Sequence, residues 1–130
     1  QSEHVAWSDM EVAGGMDTDG GGMDEQAVME ICKVLSNETR FRILTWLKHP
    51  GEHFPPQGEH LPKGQELSRG GVCAGSIFQK TGIAQSTVSH YLDMMQRAGL
   101  LRSERYGKWT YYRRDEEFIG ELKAYLAREL

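Results

Sequence analysis

The chain has 130 residues, 38% of them hydrophobic and 26% charged, and a net charge of −4, which suits one domain with a modest core. No apolar run approaches the ~18 residues of a membrane helix, and residues 1–22 hold no Lys, no Arg and no apolar stretch, so neither a membrane protein nor a signal peptide is expected. Cys32 and Cys73 are too few and too far apart for a disulfide framework or a Cys-x-x-Cys zinc site, and a reducing cytoplasm is the expected compartment.

Residues 1–22 read as an acidic, Gly-rich flexible tail. Gly14-Gly15 and Gly20-Gly21-Gly22 bracket Met16-Asp17-Thr18-Asp19, with no helical or strand period. The domain is expected over 23–130. A first helix is predicted from about Asp24 to Leu35, with Val28, Ile31, Cys32 and Leu35 as its apolar stripe. Ser36 or Asn37 caps a second helix through about Lys48, with Phe41, Ile43, Leu44 and Leu47 facing the core. Residues 50–70 read as a long inserted loop, rich in Pro and Gly and repeating Gly-Glu-His at 51–53 and 58–60.

Residues 73–81 suit a short helix with Cys73 and Ile77 inward, stopped by Gly82. Residues 85–97 suit another, with Val88, Leu92 and Met95 inward and Gly99 as its stop. Two helices around a short glycine turn are the helix-turn-helix pattern. Leu100–Tyr106 and Lys108–Arg113 then read as a β-hairpin, and Asp115 caps a last helix. Its stripe of Phe118, Ile119, Leu122, Tyr125 and Leu126 is broad for so small a domain. A second copy of the chain is the expected cover, with Val28, Ile31, Phe118, Ile119, Leu122 and Leu126 as interface residues.

The charge is unevenly spread. Residues 1–22 carry −5, residues 80–114 carry +5 and residues 115–130 carry −3. A basic block beside a helix-turn-helix points to nucleic acid, although a solvated basic face gives the same balance. The outward face of the 85–97 helix offers Gln85, Ser86, Ser89 and His90 from its first turns. Gln pairs bidentately with adenine, and Ser reaches base edges or phosphates. Arg105 and Lys108 flank the hairpin turn and suit phosphate or minor-groove contact. Arg40 reads as structural.

Several motifs in order resemble the ArsR/SmtB family of bacterial repressors. They are Leu35-Ser-Asn-Glu-Thr-Arg-Phe-Arg-Ile-Leu44, Gln85-Ser-Thr-Val-Ser-His-Tyr-Leu92, Ala98-Gly-Leu-Leu101 and Tyr111-Tyr112. The resemblance covers about 24–130. It implies a mainly α, dimeric winged helix-turn-helix with a β-hairpin wing. It also implies that the first and last helices form the dimer interface and that Gln85, Ser86, Ser89 and His90 touch DNA. Three departures stand out. Ala84 replaces the family's Ser at the recognition-helix cap. Cys73-Ala74-Gly75 stands where arsenite and cadmium sensors carry Cys-Val-Cys. Residues 115–130 hold no His, where zinc sensors carry ligands.

The expected function is therefore a DNA-binding transcriptional regulator. It is read as a repressor that binds a palindromic operator as a homodimer, is released by an unidentified signal and carries no cofactor. No Gly-rich phosphate loop or nucleophile turn suggests an enzyme. The alternative is a winged helix used for protein contacts alone. For the signal, His53, His60 and Cys73 remain weak metal candidates. Cys73 is also a redox candidate, because a helix-end thiol beside a long loop is placed to be exposed and partly ionised.

Overall fold

The computed structural model describes residues 23–58 and 70–130. The tail at 1–22 and the loop residues 59–69, His60 among them, lie outside these. Helix α1 spans Glu25–Leu35 and α2 spans Glu38–Trp46. Both start on a side-chain cap that satisfies an orphan backbone donor. Asp24 Oδ1 accepts the Ala27 N–H at 2.8 Å, and Asn37 Oδ1 accepts the Arg40 N–H at 3.0 Å. A single helical turn, α3, spans Pro50–His53 inside the expected loop. Proline suits the first helical position, where its missing donor costs nothing. Phe54 follows, buried edge-on against Trp46 with ring centroids 6.4 Å apart.

Strand β1 is the short pair Val72–Cys73, and α4 (Ala74–Thr81) and α5 (Gln85–Arg97) follow it. Strands β2 (Leu101–Tyr106) and β3 (Trp109–Arg114) form the hairpin, and α6 (Glu116–Glu129) closes the fold. The sheet is antiparallel in the order β1-β3-β2. Tyr106 pairs with Trp109, so the turn is the two residues Gly107-Lys108. Gly107 takes a φ of +61°, the positive value that a tight hairpin turn requires. Two residues are too few to show alternation, which is why β1 leaves no trace in the sequence pattern.

One core cluster joins α1, α2, α4, α5, α6 and the start of β2 through Ile31, Ile43, Ile77, Leu92, Met95 and Leu122. A satellite cluster under the hairpin holds Cys73, Tyr106 and Tyr111, with Trp109 beside them. Two expected core residues face outward. Phe41 is 52% exposed. It stands two positions before the fully buried Ile43, and a helix turns such a pair to opposite sides. Cys32 is exposed as well. The buried stripe of α1 is Val28, Ile31 and Val34, which turns Cys32 away from the core. The residues expected at a dimer interface differ in how far the single chain buries them. Val28, Ile31, Ile119 and Leu122 are buried within the single chain, and Phe118 and Leu126 are partly buried.

Charge also fixes the start of α6. Asp115 accepts the Phe118 N–H at 3.0 Å and pairs with Arg102 at 3.3 Å. Buried Arg114 holds Glu116 through Nε at 2.7 Å and Nη2 at 3.1 Å, and its Nη1 reaches the Leu44 carbonyl at 3.4 Å. The Arg114 hydrogen bond holds the Glu116 carboxyl below its ordinary range.

Candidate nucleic-acid interface

The two helices α4 and α5 are set by buried anchors and a left-handed turn. Ile77 fixes α4, and Val88, Leu92 and Met95 fix α5, all at 0–1% exposure. Gly82 caps α4 at φ +73°, and its N–H donates to the Phe78 carbonyl at 3.2 Å. With one side of α5 locked down, the other is presented to solvent. Gln85, Ser86, Ser89 and His90 are all exposed there. Asp93 and Arg97 share that side but pair with each other four residues apart.

Ala84 occupies the N-cap of α5, and no side-chain bond caps that helix. Restoring the hydroxyl by Ala84→Ser should raise stability by about 1 kcal/mol. A urea titration with an unchanged midpoint would show that the first-turn donors are already satisfied.

The hairpin stands beside this helix as a wing. Arg105 is exposed at its tip, where Nε donates to the Gly107 carbonyl at 2.9 Å. Lys108 is exposed too, with Nζ 5.4 Å from the centroid of the Trp109 ring. The other wing cations are engaged within the fold. Arg102 and Arg114 hold Asp115 and Glu116, and half-buried Arg113 donates to the Arg114 carbonyl at 3.2 Å. The cationic surface of the wing is therefore concentrated at its tip. Under it, Tyr106 donates to buried Glu104 at 2.7 Å. Burial, and then the adjoining carboxylate, push the Tyr106 hydroxyl up to about 12.

Cys73 is not an exposed thiol. It is buried in the aromatic cluster beneath the wing, and its N–H donates to Gln57 Oε1 at 2.8 Å. His53 sits half-buried at the end of α3, while His60 lies outside the described residues. Among the described residues, no three His, Cys, Asp or Glu side chains gather into a metal cluster. No helix among them is long and apolar enough to cross a membrane.

Arg40 is a structural residue. Its Nε donates to the Val34 carbonyl at 2.6 Å, and its guanidinium lies 4.8 Å from the centroid of the Tyr91 ring on α5. Sequence reasoning missed this link, along with the Gln57–Cys73 bond. Both join segments far apart in the chain, and no local spacing signals them.

Comparison with known proteins gives one consistent result. Residues 65–103 match the bacterial regulatory proteins of the arsR family. YbzH of Bacillus subtilis, named as an uncharacterized HTH-type transcriptional regulator, is 47% identical over 102 residues, 78% of this chain and 97% of that one. ArsR2 of Halobacterium salinarum, named as an arsenical resistance operon repressor, is 24% identical over 95 residues, 71% of this chain and 65% of that one. Among solved structures, an ArsR family transcriptional regulator superposes with a TM-score of 0.59 at 16% identity, covering 84% of this chain and 92% of that one. Reduced HlyU from Vibrio cholerae superposes with a TM-score of 0.51 at 18% identity, covering 76% and 84%. By these matches, this chain belongs to the ArsR family of DNA-binding transcriptional regulators.

Proposed function

We propose that the chain is a cytoplasmic repressor that binds a twofold-symmetric operator as a homodimer and leaves it on receipt of a signal. One observation carries the reading of bases. Gln85, Ser86, Ser89 and His90 are exposed on a helix whose opposite side is fully buried. A helix held so rigidly can enter a major groove with its N-terminal residues foremost. Two such helices meet successive grooves when the half-sites lie about one helical turn, or ~34 Å, apart.

The test compares a duplex selected in vitro by the unmodified protein with a random duplex. Gln85→Ala and Ser89→Ala should each relax base preference by ~1–3 kcal/mol at one position per half-site. Equal loss on both duplexes would assign these residues to the backbone. No selected sequence at all would favour a winged helix used for protein contacts.

The dimer rests on the outer faces of α1 and α6. Val28 and Ile31 of α1 and Ile119 and Leu122 of α6 all belong to the one core cluster. Met29 remains 52% exposed on α1 and Leu130 remains 96% exposed at the end of α6. Leu126 on α6 is only partly buried against the core. Met29→Glu with Leu126→Glu should give a folded monomer by sedimentation at micromolar concentration. Each change counts twice in a symmetric pair. An intact dimer in that variant would place the interface elsewhere.

A further inference from the structure

We infer that Arg40 and Tyr91, with Asn37, form a clamp that sets the angle at which α5 presents its reading face. The inference rests on α5 being the base-reading helix. The apolar stripe of α5 holds it against the core, but apolar burial has no direction. The clamp is directional. Arg40 is fixed at both ends, its backbone N–H donating to Asn37 Oδ1 at 3.0 Å and its side-chain Nε to the Val34 carbonyl at 2.6 Å. That carbonyl lies in the last turn of α1, where carbonyls lack a partner within the helix. The tethers leave the planar guanidinium over the Tyr91 ring, 4.8 Å from its centroid. Asn37 Nδ2 also donates to the Tyr91 hydroxyl at 3.4 Å. One aromatic side chain on α5 is thus held in two ways by the α1–α2 junction.

Tyr91 adjoins His90 in sequence and lies between the core stripe and the exposed face of α5. Loosening it lets α5 roll without unfolding. Base hydrogen bonds weaken steeply with misalignment. Phosphate attraction is longer-ranged and tolerates such a roll. Loss of the clamp therefore reduces discrimination between sequences more than overall affinity. A residue that merely packed would lower the melting temperature and leave that ratio unchanged. Because α1 also carries the proposed dimer surface, the clamp ties the subunit contact to the angle of the reading helix.

The experiment measures the affinity ratio between a duplex selected in vitro by the unmodified protein and a random duplex of equal length. Arg40→Met and Tyr91→Leu should each lower the ratio ~10-fold, and the double variant should also lower it ~10-fold, because both remove one interaction. The salt slope should not change, since no phosphate contact is lost. Tyr91→Phe keeps the ring and should stay within ~3-fold of the parent. Arg40→Lys keeps the charge but loses the planar fork, and should fall below Tyr91→Phe. These two conservative variants decide the matter if the larger changes do not fold. A ratio lowered ~100-fold in the double variant, or left at the parent value by Tyr91→Leu, would overturn the clamp alone. An unmodified protein that selects no sequence would overturn base reading by α5 and the clamp with it.

Discussion

Replacing Arg105 and Lys108 together by alanine is expected to weaken binding to every duplex by ~1,000-fold near 0.15 M salt. Each cation set on a phosphate adds about 0.9 to the slope of log affinity against log salt. Near 0.15 M that amounts to roughly fivefold per contact. Two cations on each wing of the proposed dimer make about four contacts, so the slope should flatten by about 3.6. The loss should be equal on selected and random DNA, because phosphates carry no sequence information directly. Arg102→Ala provides the contrast. That side chain holds Asp115 at 3.3 Å, so its loss should disturb the start of α6 and leave the salt slope as it was. A slope unaltered in the double variant would move the electrostatic footprint away from the wing tip.

The contrast between Arg105 and Arg102 also marks how far sequence reading reaches. Five wing cations look alike in a charge count. The hairpin turn already marks Arg105 and Lys108 in the sequence, and the fold adds that Arg102 and Arg114 have partners at the start of α6. The recognition helix was legible because its signals are local. A glycine stop, a buried stripe at Val88, Leu92 and Met95, and a polar opposite face all fall between Gln85 and Gly99. Asp115 as a cap, and Asn37 as one of two candidates with Ser36, were legible for the same reason. The α1 stripe was misread at Cys32 because Val34 and Cys32 both fit an apolar spacing, and tertiary packing chose Val34. Cys73 illustrates the same limit. Its place on the helix face suggested an inward side chain and its helix-end position an accessible thiol, and Tyr106 and Tyr111 from a later hairpin bury it.

Gly99→Ala should destabilise the fold by about 3 kcal/mol and lower the melting temperature by roughly 10 °C. Helix α5 ends at Arg97, and the chain leaves it through Gly99 at φ +95°. The Gly99 N–H donates to the Gln96 carbonyl and the Leu100 N–H to the Met95 carbonyl, both at 3.0 Å. This pair of bonds is the Schellman turn, which needs a left-handed residue at its centre. Any side chain there costs about 1–2 kcal/mol in backbone conformation. Crowding adds to this, because a Cβ on Gly99 would stand 2.7 Å from Cε2 and Cζ of the Phe118 ring. Overpacking of that kind costs ~1–3 kcal/mol. Gly82 separates the two contributions. Its φ is +73° but nothing lies within 4 Å of an added Cβ, so Gly82→Ala should lose only the backbone share. Adding Phe118→Leu to Gly99→Ala should recover part of the crowding share and none of the backbone share. Equal losses at Gly82 and Gly99 would mean that Phe118 gives way freely and that α6 does not hold the end of the recognition helix.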